Sequence, residues 1–152
     1  MTPDDRMLRV GARADRAVAR AGLVAGMSFD DIVRAVEDAV DIQLRVVEET
    51  DTRGWGTLTG FLTVFGDGRE GSIHVRAGDP ALYRQFAVSH ELGHLLDDAH
   101  CNGAIHRRSP ASPDDDPALS TPELDAELVA EHIAHRIARL LYGGPRIAEA
   151  SW

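Results

Sequence analysis

The stretch Ala87–His100, AVSHELGHLLDDAH, carries three of the chain's seven histidines, two of them bracketing a glutamate. Residues four apart on an α-helix lie ~40° apart around its axis, so His90 and His94 would point the same way, one turn apart. Two imidazoles at that spacing can share one tetrahedral zinc. Glu91 stands beside them, angled to reach a zinc-held water rather than the metal. Zinc lowers the pKa of such a water to ~7 and polarises a carbonyl, and Glu91 takes the proton and returns it to a leaving amine. His90-Glu91-Leu92-Gly93-His94 therefore reads as an HExxH metallopeptidase motif, against the plainer alternative of a surface histidine pair. Gly93 fits the first reading. A mid-helix Gly costs ~1 kcal/mol against Ala, which a closely crossing second helix would justify.

The third ligand has several candidates. His100 stands where the longer HExxHxxGxxH pattern places a third His, but Asp97 replaces the Gly whose positive φ ends that helix sharply. That pattern also needs a downstream Met-turn, and the only methionines are Met1, Met7 and Met27. The alternative is a Glu on a later crossing helix. Glu127, Glu131 and His135 share one stripe at i, i+4 and i+8, which Glu123 would extend. Pattern alone does not choose among them.

Flanking signals give an α+β plan. Asp4 to about Ala25 reads as a helix, and Ser28-Phe29-Asp30-Asp31 opens a second as a near capping box. Residues 42–48 alternate as a strand, with Ile42, Leu44 and Val46 on one face. Residues 57–65 and 72–76 read as two more, joined by a Gly66-Asp67-Gly68 hairpin. Asp79-Pro80 starts the motif helix. Residues 106–122, dense in Pro, Ser and Asp, read as an exposed loop, and Thr121-Pro122 starts a last helix running to about Tyr142. The expected fold is a minimal zincin-like domain spanning 1–152: a small three-stranded antiparallel or mixed sheet on helices, with the HExxH helix at the core.

Composition narrows the function. A net charge of −9 argues against a nucleic-acid-binding domain. The single cysteine, Cys101, permits no internal disulfide, and neither a signal core nor a membrane-spanning run is legible. A cytoplasmic protein without a membrane partner is expected. Cys101 after His100 reads as incidental.

At this point the chain resembles the ImmA/IrrE family of small metallopeptidases over about residues 32–142. RQFAVSHELGHLL (84–96) is similar to that family's motif, with Phe86 four positions before the first His. GFLTVFGDGREGSIHV (60–75) resembles the strand pair before it. EHIAHRIARLLYGGP (131–145) is similar to the family's Glu-x-x-Ala-Asn-x-Phe-Ala segment, with His135 in place of Asn and Ile137 in place of Phe. The resemblance implies a zinc cofactor held by His90, His94 and Glu131, with Glu91 as catalytic base. It leaves His135 as a supporting partner of the ligands, a transition-state donor or an ordinary surface residue. It further implies a helix-turn-helix repressor or antitoxin as protein substrate. The alternative function is a zinc-containing module that binds such a regulator without cutting it.

Three further expectations follow. Arg6, Arg9, Arg13, Arg16 and Arg20 form one stripe of the first helix. It is either a docking face or the solvated side of a helix whose Leu8, Ala12, Ala19 and Leu23 pack inward. The 109–122 loop, with Asp114-Asp115-Asp116, is a lid, a cleavage site or simply solvated. The strand 72–76, leading into the metal helix, is expected at the sheet edge, where a substrate peptide would add by main-chain hydrogen bonds.

Overall fold

The computed structural model describes residues 2–97 and 121–143. It is an α+β fold of four helices and a three-stranded mixed sheet: α1 (Pro3–Ala21), α2 (Phe29–Val40), β1 (Gln43–Glu49), β2 (Gly60–Phe65), β3 (Glu70–Arg76), α3 (Ala81–Asp97) and α4 (Thr121–Tyr142). No described helix is long and apolar enough to cross a membrane.

Local chemistry sets the boundaries. Thr2 and Ser28 cap α1 and α2 through reciprocal boxes with Asp5 and Asp31, so Asp serves where Glu is usual. The first helix stops at Ala21, earlier than composition suggests. Gly22 takes the left-handed conformation (φ 69°), its N–H bonds back to Ala19, and that of Leu23 bonds to Val18. Residues 57–59 stay outside β2, where the Arg76 guanidinium binds the Leu58 and Gly56 carbonyls. The hairpin expected at 66–68 forms, with positive φ at Gly66 and Gly68. Of the expected 106–122 loop and the 109–122 segment, only Thr121 and Pro122 are described, as the first turn of α4; His100 and Cys101 also lie outside the described residues.

The strand order is β1-β3-β2, with β1 parallel and β2 antiparallel to β3. This corrects the placing of 72–76 at the sheet edge: β3 is the central strand, paired on both sides. The hairpin signal revealed only the β2–β3 pairing. The parallel partner comes from a non-consecutive segment, whose pairing leaves no local mark. Leu62, Ile73 and Val75 are buried on the helix side of the sheet. Among the described residues, the open edge nearest the motif helix is β2, where a Cβ on Gly60 would stand 3.5 Å from that of Ala87.

Helix α3 lies between the sheet and the α1/α4 pair, and every residue from Ala87 to Asp97 is buried. Gly93 marks the crossing with α4. A Cβ there would meet the Ala130 carbonyl oxygen at 2.8 Å and its Cα at 2.9 Å, both backbone atoms that cannot swing away. Gly93→Ala gains ~1 kcal/mol of helix propensity but forces α4 outward, and overpacking of this kind costs ~1–3 kcal/mol or more. We expect a melting temperature lower by about 2–8 °C in thermal unfolding followed by circular dichroism. A rise would show that the crossing is loose.

The arginine stripe runs along the margin of α1 and reaches across to the neighbouring helices. Arg13 grips buried Asp97 at 2.6 Å, Arg6 and Arg9 reach Asp125 at 3.3 and 3.6 Å, and Arg20 donates to the Leu96 carbonyl. The buried face of α1 is Val10, Ala14 and Ala17, while Leu8 is 74% exposed. The expectation that Leu8, Ala12 and Ala19 pack inward is thus corrected, although Leu23 is buried. The two buried acids on α3 and α4 set the rotation, because a desolvated carboxylate needs a cation beside it. Arg16, exposed like Arg9 and Arg20, stands outside this clamp.

Candidate metal centre

His90 and His94 project from α3 with ring centroids 4.9 Å apart and planes at 74°. Their Nε2 atoms converge on one carboxylate of α4, that of Glu127. Its Oε2 is 3.0 Å from His90 Nε2 and its Oε1 3.0 Å from His94 Nε2. All three side chains are buried, and one ligand atom from each falls within 4.8 Å of the others. Among the described residues this trio is the group able to hold a metal ion.

The donor set fits a divalent metal. Two ligands of a tetrahedral zinc at ~2.0–2.1 Å stand about 3.3 Å from each other, close to the separations seen here. Two imidazoles and one carboxylate are also the protein share of a catalytic site, which leaves a position for a further ligand.

Glu131 takes a different place from the one the resemblance implies. Its Oε2 lies 3.0 Å from the other nitrogen of His90, Nδ1. It is one helical turn past Glu127, on the same stripe, and holds the back of the ring rather than the face shared with His94. An Nδ1–H donated to a carboxylate fixes the tautomer that presents Nε2 to a metal. His135, one turn further on, is 61% exposed. Its Nε2 is 3.7 Å from Glu131 Oε1 and its ring stands edge-on to Phe86 at 5.1 Å. Glu91 is fully buried, and its charge acts on His90. The structure therefore brings together His90, His94 and Glu91 as the sequence indicates, with Glu127 at the shared face, Glu131 behind it and His135 at the rim. Asp97 ends α3 as the partner of Arg13, without the positive φ of a sharp Gly turn.

The charges are strongly coupled. Burial disfavours the His90 cation, but hydrogen bonds to Glu127 and Glu131 and the Glu91 charge outweigh it, raising the pKa from 6.5 to about 10 in the metal-free protein. Burial likewise opposes the Glu127 charge, yet the hydrogen bonds and charges of His90 and His94 lower its pKa from 4.5 to about 2. The hydrogen bond from His90 also lowers that of Glu131. With folded pKa above unfolded, the His90 contribution to metal-free stability is full below pH 6.5 and lost as pH rises through about 10. The Glu127 contribution is full above pH 4.5 and lost as pH falls through about 2.

A metal at Nε2 must displace the His90 proton there, leaving the one on Nδ1 for Glu131. Zinc binding at pH 7 should thus release about one proton from His90. Calorimetric titration in buffers of different protonation enthalpy measures this directly. A binding heat that is the same in every buffer would mean that His90 is already neutral.

In comparisons with protein-family models, with curated proteins and with solved structures, nothing matches this chain.

Proposed function

We propose that the protein is a zinc-dependent metallo-endopeptidase, acting in the cytoplasm on a protein partner of the helix-turn-helix regulator class. The observation that carries the reading is the convergence of His90 Nε2, His94 Nε2 and the Glu127 carboxylate beside Glu91. The resemblance of residues 84–96 and 131–145 to the ImmA/IrrE pattern supports the reaction class and the choice of partner. We assign His90, His94 and Glu127 as metal ligands. Zinc supplies Lewis acidity when bound there.

The chain's own residues do the rest. Glu131 holds the Nδ1–H of His90 and so keeps Nε2 directed at the metal. Glu91, one residue from His90, acts as general base toward the attacking water and then as acid toward the departing amine. The Gly93 crossing sets the distance between α3 and α4, and with it the approach of Glu127 to both histidines. The free edge of β2 takes the role first expected of β3, pairing with the substrate main chain.

A second reading has its own support. Glu91, His90, His94 and Glu127 are 0%, 4%, 1% and 8% exposed, a depth that suits a metal stabilising a module that binds its regulator uncut. The test is incubation of the zinc-loaded protein with purified helix-turn-helix regulators, with chelated protein and Glu91→Gln as controls. Cutting by the wild type alone supports the peptidase. Binding without cutting by wild type and variant alike supports the module.

A further inference from the structure

A cavity of about 500 Å³ opens between the first half of α3 and the last turns of α4. Phe86, Ala87, Ala138 and Leu141 supply apolar wall, and His90 and Glu131 belong to the same lining. Its size is that of a small-ligand pocket. At its margin Leu82, Tyr83 and Tyr142 are 64%, 69% and 46% exposed, an apolar surface of the kind that marks a binding site. The Tyr142 hydroxyl donates to Gln85 Oε1 and ties the end of α4 to α3, so the walls are braced. Thr59, just before the free edge strand β2, also lines the cavity. Among the described residues, the carboxylates on the lining are Asp79 and Glu131, and no arginine joins them.

We infer that this cavity is a specificity subsite for one large apolar side chain, of leucine or phenylalanine size, on an extended peptide that pairs with the β2 edge and passes the His90 face. The inference rests on the peptidase reading for its substrate class. Its evidence is separate: an apolar cavity that shares a wall with a metal ligand and begins where the edge strand begins. A peptide held by main-chain bonds along β2 gains affinity without sequence selectivity, and the cavity supplies that selectivity. The acidic lining groups reject an acidic side chain at this position.

The test uses the zinc-loaded Glu91→Gln protein, which holds peptides without consuming them. Capped octapeptides of Gly and Ser with one variable central residue are titrated calorimetrically. Leu or Phe should bind about 10–100-fold more tightly than Gly, the range set by burying one large apolar side chain, and Glu should bind no better than Gly. Ala138→Phe fills the cavity from α4, and Leu82→Asp charges its exposed margin. Each should reduce the Leu/Gly ratio to within about threefold while zinc affinity and melting temperature hold; Leu82, being exposed, keeps the test sound if Ala138→Phe folds poorly. Equal binding of all peptides, or a preference untouched by both substitutions, overturns the subsite. So does self-association that Ala138→Phe abolishes in the absence of any peptide preference, which would assign the cavity to a second copy. A clear Leu preference in a protein whose wild type cuts nothing keeps the subsite and removes the peptidase reading. Cleavage with no preference does the reverse.

Discussion

Glu127→Ala should cost the protein far more zinc affinity than Glu131→Ala, although both glutamates touch His90. The reason is which nitrogen each one touches. Glu127 lies 3.0 Å from the Nε2 atoms of both histidines, so its removal takes a donor out of the shared face and leaves two imidazoles to hold the ion. Glu131 lies behind the ring on Nδ1, and its loss frees the tautomer and orientation of His90 without removing a ligand. Losing such an outer partner costs ~10–100-fold in metal affinity. The Glu127 variant should fall at least about tenfold below that. Competition against a chromophoric chelator at pH 7 ranks the two. The opposite order would return the ligand role to Glu131, as the resemblance to the ImmA/IrrE pattern implies, and make Glu127 the supporting group. Equal, small losses would mean that neither carboxylate is a ligand.

That choice is also where the sequence ceases to be legible. The i, i+4 spacing of His90 and His94 settles their common face, because both sit on one helix whose geometry is fixed. The stripe of Glu127, Glu131 and His135 is equally visible. Which member meets the histidines depends on how far α4 slides along α3, and helix-to-helix sliding has no local code. It is set by the backbone contact at Gly93 with Ala130, which lies between the two glutamates. The same limit explains the sheet. Hairpin residues announce β2 beside β3, whereas the insertion of β3 between β1 and β2 rests on burial of Ile73 and Val75 beneath α3. The arginine stripe was visible as a periodicity, but its direction was not. Asp97 and Asp125 fix it, and each lies more than eighty residues from the arginine that meets it. The Ser28 capping box, the hairpin and the course of the motif helix are short-range and legible, whereas the Thr2–Asp5 box went unread and α3 begins at Ala81, just past the expected Asp79-Pro80 start. Register, strand order and helix rotation are set by long-range contacts that leave no local signal.

On the peptidase reading proposed above, Glu91→Gln should keep the fold and the metal and lose the chemistry. The substitution preserves side-chain volume at a position that is 0% exposed, so no cavity opens in α3. It removes one negative charge near His90, whose pKa that charge helps to raise. Metal-free His90 should therefore give up its Nε2 proton slightly more readily, and zinc should bind at least as well as before at pH 7. A Gln amide accepts no proton, so general-base assistance disappears, an effect of ~10²–10⁴-fold in rate. Three measurements on one preparation separate the possibilities: zinc content, melting temperature, and cleavage of the regulator. Intact zinc and stability with cleavage lost by two orders of magnitude or more assign the base to Glu91. A twofold loss would place the proton transfer elsewhere. If wild type leaves the regulator uncut, and both proteins release it from DNA equally well, the buried trio is a structural metal centre. Glu91 is then a core carboxylate tuning the charge of His90.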